Sequence, residues 1–472
     1  MEQELQEIKH SKKSMVSFGF GKFINEFYVM AFGALVFFFY ERALHLNPVL
    51  TMAGYIIFAL WNAVNDPLIG YLTDRPFKFT RKWGRRFPWV YIGGIPWILS
   101  YILIFTPPIT DPNLVFGRFA ISGHWILFAW LILTTCIYDT FASIFGVSFY
   151  SIFPDKFRTG RERRNASTIS TIIAAVGTAT GSILPPLFYT FDLPRTYITQ
   201  AVVAAIVCMI ALVISIPGTR EDQVRIDCYL ESCEGKVEER SFFKEFVSCL
   251  KHRNFMAYII TFTLYQSLVS LMVGSIPYVT ESVLLKTEDD ITIIMAVLLI
   301  GMIVSMPVWS FIAHRTNNDR KTMLIASIYL TVTTFLLFFI TDYTFMIIGI
   351  FIWGTGEGGF WVMMSPIFAN AIDEATIQTG HRSEGIYNGI QTFVSRAALV
   401  VQAVSFSVVH IVTGYNSDVV VQTPLATLGI QIHFALIPAI LMAFGALIFG
   451  LFFKLTPDKV DRNRERLIEL KI

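Results

Sequence analysis

Six formal charges stand inside otherwise apolar runs: Lys22, Glu26, Asp66, Asp139, Glu357 and Arg396. Four are carboxylates and two are bases, a sum of −2. A charge at the centre of a bilayer costs about 2.5–3.5 kcal/mol on insertion scales, so each is a functional candidate by default. An unbalanced negative cluster in a low-dielectric cavity takes up protons or binds a cation. Asn62, Asn65 and Asp66 fall on one helix face at spacing i, i+3, i+4. Pro67 follows directly, removes a helical hydrogen bond and frees the carbonyl of Ala63. A carboxylate, two amide oxygens and a free carbonyl are hard ligands of the kind a small cation needs; the alternative is a proline kink solvated by polar neighbours. The ion implied is H+ or Na+. Beyond such a sodium, neither a metal site nor a cofactor is expected.

Lys22 sits four residues before Glu26 on the same helix face, so an ion pair between them is expected, whether it meets a ligand or only fixes helix packing. Glu357 lies in WGTGEGGFWVMMSP, where four glycines permit close helix approach and Trp353, Phe360 and Trp361 add aromatic surface. Aromatic faces suit sugar rings and are equally common as lipid-facing filler. Tyr265 and Gln266 are further candidates for contact with a solute. At a rise of ~1.5 Å per residue, Glu26, Asp66 and Arg396 lie roughly 10–15 Å from one membrane edge, and Asp139 and Glu357 roughly 20 Å, which predicts two polar layers.

The elements that must carry these residues are membrane helices. The chain has 472 residues, 54% hydrophobic and 15% aromatic, with 15% charged, against roughly 25% charged in a soluble protein. Mean hydropathy is +0.57. Helices that cross ~30 Å of hydrocarbon need about 20 apolar residues. Twelve runs qualify: 17–40, 49–72, 87–106, 122–150, 167–190, 197–217, 255–281, 289–313, 322–341, 343–370, 386–412 and 428–454. Lys and Arg crowd the loops after the second, fourth and eighth runs and the C-terminal tail, and are sparse in the alternate loops, so both termini are expected on the cytoplasmic side. The stretch 218–253 is the longest polar one, and SFFKEFVSCLKHRNF within it has the apolar spacing of an amphipathic helix on the inner leaflet.

The expected organisation is therefore an all-α membrane protein. A tail (1–16) precedes a six-helix bundle (17–217), then come the linker (218–253), a second six-helix bundle (254–454) and a tail (455–472). The halves echo each other. TDRPFKFTRKWGRR after the second run has a counterpart in AHRTNNDRKT after the eighth, and PDKFRTGRERRNAS after the fourth in DEATIQTGHRSEGIYNG after the tenth. Such parallel repeats build one major transporter architecture.

GYLTDRPFKFTRKWGRR resembles the loop between spans two and three of the major facilitator superfamily. FGFGKFINEF (18–27), WNAVNDPLIG (61–70) and TGHRSEGIYNGIQTFVSR (379–396) resemble segments of the glycoside–pentoside–hexuronide:cation symporters, the melibiose permease family. The resemblance covers most of the chain. It implies the major facilitator fold of twelve helices in two pseudo-symmetric bundles, and symport of a sugar, glycoside or similar polar solute by alternating access. Glu26 matches a family position that usually holds a sugar-binding Asp, Tyr150 its stacking aromatic and Arg396 its eleventh-span Lys, which could balance Asp66 and Glu26. The family's second sugar-binding Asp aligns with Gly146, for which Asp139 could substitute, and its fifth-span Arg with Thr171. Family members usually carry Asp where this chain has Asn62, which puts sodium binding in doubt. The resemblance also implies a cytoplasmic gate from Asp74, Arg75, Arg85 and Arg86, with Asp155, Arg161, Arg163, Asp373, Arg382 and Glu384 as a related clasp.

No catalytic motif or phosphate-binding glycine loop is present, so an enzyme is not expected. The net charge of +2 makes no case for nucleic acid. Of the five cysteines, Cys228 and Cys233 lack a second pair, so zinc is not expected and free thiols are. The charged N-terminus shows no cleavable signal. Expected partners are a small-molecule substrate and membrane lipid, in a plasma-membrane monomer. The rival readings are a lipid or lysolipid transporter on the same fold, and a sensor that transports nothing.

Overall fold

The computed structural model of the chain describes residues 10–73, 80–116, 121–157, 160–223, 226, 251–379 and 384–470. Among them, twelve helices are long and apolar enough to cross a membrane: α1 (Lys12–Ala43), α2 (Pro48–Gly70), α3 (Phe87–Ile104), α4 (Gly123–Phe153), α5 (Asn165–Phe188), α6 (Pro194–Ile214), α7 (Arg253–Val283), α8 (Glu288–Thr316), α9 (Asp319–Leu337), α10 (Tyr343–Gln378), α11 (Gly389–Thr413) and α12 (Pro424–Phe452). Each overlaps one predicted run. Helices are the available solution because lipid offers the backbone no hydrogen-bond partner. A short helix α13 (Pro457–Leu470) follows and packs on α10. Between α3 and α4, Val115–Phe116 pairs antiparallel with Ile121–Ser122. The amphipathic segment expected in the linker lies largely outside the described residues.

The chain divides into two compact units, Met1–Glu238 and Glu239–Ile472. In the first, α1 packs most extensively on α5, α3 on α4 and α2 on α4. Close contact of α1 with α5 rests on Gly177 and Gly181, where a Cβ would collide with α1 backbone at Phe23 and Phe27. Small residues let membrane helices approach when lipid provides no hydrophobic drive between them. In the second unit, α8 and α10 meet in the same manner. Gly354 lies against the Leu298 carbonyl and Gly358 against the Met302 carbonyl.

The internal repeat is visible in backbone detail. α1 ends in a π-helical turn, Phe39–Ala43, and α7 in another, Val279–Val283. Leu44 N–H donates to Phe39 O and Leu46 N–H to Tyr40 O; Leu284 N–H donates to Val279 O and Lys286 N–H to Thr280 O. Each turn is followed by a non-glycine residue at positive φ, His45 and Leu285, both at 52°. Every one of these features recurs 240 residues later (39 to 279, 45 to 285). In that register Gln266 on α7 occupies the place of Glu26 on α1.

Candidate functional site

In the first unit α2 lies along α4, and two turns of each meet in a polar seam. Asn62 and Asp66 are one turn apart on α2, and Asp139 and Ser143 one turn apart on α4, so the pairs face in register. Asn62 Nδ2 donates to Asp139 Oδ1. Asn65 Nδ2 donates to Asp139 Oδ2 at 3.1 Å and to Ser143 Oγ at 3.1 Å. The Ser143 hydroxyl donates to Asp66 Oδ1. Asn62, Asn65 and Asp139 are only 2%, 3% and 4% exposed, and Asp66 is half-buried. Three neutral side chains thus tie two carboxylates into one cluster, while Asn62 Oδ1 is buried and accepts no hydrogen bond from a described residue.

This geometry revises the two expected polar layers. Asp66 and Asp139 belong to a single cluster, because Asn62 and Ser143 bridge the turn that separates them. It also places Asp139, named above with the solute-binding residues, against the amides of α2. The carboxylate absent at position 62 has a counterpart across the seam at position 139.

Other candidates stand elsewhere. Glu26 is half-buried and accepts from Asn25 Nδ2 at 3.2 Å. The expected Lys22–Glu26 ion pair is not formed. Lys22 Nζ lies instead over the Phe153 ring, 5.6 Å from its centroid, where the ring's negative face attracts an ammonium. Tyr150 is 43% exposed and meets Phe149 edge-on. In the second unit Trp361 is also 43% exposed and Gln266 half-buried. Tyr265 is fully buried, its ring stacked on Phe360 with centroids 3.9 Å apart, and its hydroxyl donates to Glu357 Oε1 at 2.6 Å. Tyr265 is therefore placed to hold Glu357 rather than to meet a solute. Arg396 marks a break in α11, between the helical segments Glu384–Ser395 and Ala397–Thr413.

The rim of the first unit that bears the chain's N-terminal tail is laced by hydrogen bonds. Backbone N–H groups of Arg85, Arg86 and Phe87 donate to the Glu221 carboxylate at 3.2, 2.6 and 2.9 Å. The start of α3, with its orphan donors and positive dipole, is thereby capped by an anion from beyond α6. Gly84 precedes it at φ +94°, and a Cβ there would meet the Glu221 carboxyl. Arg85 and Arg86, named above for the gate, contribute backbone N–H groups to this cap. Asp373 is half-buried in α10. Asp74, Arg75 and Arg382, and the side chains of Asp155, Arg161, Arg163 and Glu384, lie outside the described residues.

On the same rim His10 bridges two acids. Its Nδ1 is 2.9 Å from Glu162 Oε1 and its Nε2 is 3.0 Å from Asp222 Oδ2. The hydrogen bond to Asp222, followed by that residue's charge and the bond to Glu162, raises the His10 pKa above its ordinary value against burial and Lys156. A raised folded-state pKa makes the contribution full below the unfolded value of about 6.5, and the contribution is lost as pH rises through the folded value. His10→Gln should therefore lower thermal stability in detergent most below pH 6.5, by about 1 kcal/mol after solvent screening, and little in alkali. A stability deficit that grows with pH would reject this bridge.

Sequence reasoning passed over several groups. Ser143 was signalled by its spacing from Asp139, which copies that of Asn62 and Asp66. Glu41, Arg42 and Glu281 are buried at 1%, 3% and 2% in the two π-turns, and Arg42 pairs with Asp192 at 2.8 Å. His410 and His433 are fully buried with Nε2 atoms 3.1 Å apart, and Ser275 Oγ is 2.7 Å from His433 Nδ1. A count of formal charges at neutral pH does not see histidines.

Comparison with known proteins adds four findings. A family model described as MFS/sugar transport protein matches residues 17–457. The sodium-dependent lysophosphatidylcholine symporter 1-A of Danio rerio is 22% identical, over 96% of this chain and 88% of that one. The glucuronide carrier protein homolog of Escherichia coli (strain K12) is 22% identical, over 95% of this chain and 94% of that one. In fold, the chain is similar to the nucleoside transporter NupG, with TM-score 0.61 and 11% identity over 94% of this chain and 99% of that one.

Proposed function

The chain belongs to the MFS/sugar transport protein family and is a secondary transporter and integral membrane protein, and from that premise we propose that it moves a sugar, glycoside or similar small polar solute by symport with a small cation, sodium in the first instance. One observation carries the cation: Asn62 Oδ1 is buried beside Asp139 and accepts no hydrogen bond from any described residue. With Asp66, Asp139 and Ser143 it makes a set of hard oxygens, two of the groups carrying charge, which suits a small cation better than a lone titrating acid. The sodium dependence in the name of the zebrafish relative supports the same choice. Glu26, Tyr150, Gln266 and Trp361 are the proposed solute contacts. Alternating access would expose them in turn, with both termini cytoplasmic.

A second reading has its own support. The lysophosphatidylcholine symporter matches nearly the whole chain, and a half-buried Glu26 can meet a cationic head group as readily as a hydroxyl. Purified protein in proteoliposomes, offered radiolabelled glucuronides, lactose and lysophosphatidylcholine, separates the readings. An inward sodium gradient should drive accumulation of one class. Accumulation driven by a pH step alone would replace sodium by the proton, and the absence of any gradient-driven uptake would overturn symport.

A further inference from the structure

Glu357 has chemistry that the transport site does not use. Its Oε1 accepts the Tyr265 hydroxyl, its Oε2 is buried with no hydrogen-bond partner among the described residues, and the residue is 6% exposed. The membrane helices packed most closely on α10 are α7, α8 and α9. Titratable and polar groups that these bring to this stretch are few. α7 supplies Tyr265. α9 supplies Tyr329, whose ring lies against Gly356 and whose hydroxyl meets Thr355. α8 supplies Ser305 and Trp309, against Gly358 and Gly359. The acidic residues Asp373 and Glu374 of α10 itself are far along the helix (357 to 373, roughly 24 Å at the helical rise). α13 meets α10 near Ile367 and Asn370, also distant. No ion pair to Glu357 occurs among the described residues.

A carboxylate left in such surroundings without a counter-charge or a second donor is costly, whereas the neutral acid is not. A metal ion would need a shell of several oxygens. The side chains here are chiefly aromatic, and the Ser305 hydroxyl already donates to the Met302 carbonyl. A proton asks for one oxygen only, and Oε2 supplies it.

We propose that Glu357 is a proton-binding site of the C-terminal unit, separate from the Asp66–Asp139 cluster, with Tyr265 as the positioning residue on its other oxygen. The proton joins Oε2 from water and returns to water, and only that O–H bond forms and breaks. Tyr265 keeps donating to Oε1 in both states, so the carboxyl stays aimed while its charge changes.

Infrared spectroscopy of the purified full-length protein tests this without sodium or solute, and so independently of the symport reading. Wild type should show a protonated-carboxyl C=O stretch at neutral pH that fades roughly tenfold per pH unit above its titration point. Glu357→Gln should remove that band, and Asp66→Asn should retain it. Tyr265→Phe, which loses only a hydroxyl, should move it to higher frequency as the bond to Oε1 disappears. A band unchanged by Glu357→Gln would overturn the proposal. Should that variant fail to fold, an unshifted band in Tyr265→Phe overturns it equally.

Discussion

Asp139→Asn should abolish sodium-driven accumulation, with an apparent sodium affinity at least a hundredfold weaker, which is about 3 kcal/mol. The reason is charge rather than shape. The substituted amide keeps a side chain of the same size between Asn62 and Asn65, so the α2–α4 seam should still close. What disappears is one of the two carboxylates that can neutralise a desolvated cation. Asp66→Asn should behave alike, since Ser143 links it into the same cluster. The measurement is sodium dependence of uptake in proteoliposomes, alongside solute exchange at equal concentration on both sides, which needs no gradient. Exchange that survives while accumulation fails is the expected signature. If Asp139→Asn accumulates solute with wild-type sodium dependence, Asp139 serves packing and the cluster is no cation site.

The difference between position 62 and position 139 shows what was legible in the chain and what was not. Twelve apolar runs and their flanking basic loops were legible because the bilayer imposes a length and because lipid forbids unpaired backbone. The repeat was legible for the same reason, as hydropathy written twice. Residue types of the cluster were legible too: Asn62, Asn65 and Asp66 share a face by helical arithmetic alone. Their partner was not, because hydropathy carries no information on the register between two packed helices, and Asp139 looked like a deeper, separate charge. Lys22 and Glu26 failed in the opposite direction. Spacing along one helix permitted their pairing, and an aromatic ring on a neighbouring helix, Phe153, took the lysine instead. Tyr265 looked like a solute contact for want of knowing that Glu357 stood beside it.

If the seam works by total charge within one oxygen cluster, the carboxylate should be movable across it. Asn62→Asp added to Asp139→Asn restores two carboxylates, with the new carboxylate on α2 facing the new amide on α4, the native pair reversed. The hydrogen bond between the helices can re-form with donor and acceptor exchanged, since an amide donates and a carboxylate accepts. Sodium affinity should then recover to within about tenfold of wild type, a deficit near 1.4 kcal/mol that allows for altered geometry. Asn62→Asp alone should do the reverse. It places a third carboxylate in the seam, directly against Asp139, and like charges at that distance force one of them to take a proton. Uptake in that single variant should become more sensitive to pH than in wild type, with proton competing against sodium. These two results together separate a charge requirement from a positional one. A double variant no better than Asp139→Asn would mean that the cation is held by the particular oxygen at 139, and that the seam is a fixed site rather than a shared pool of charge.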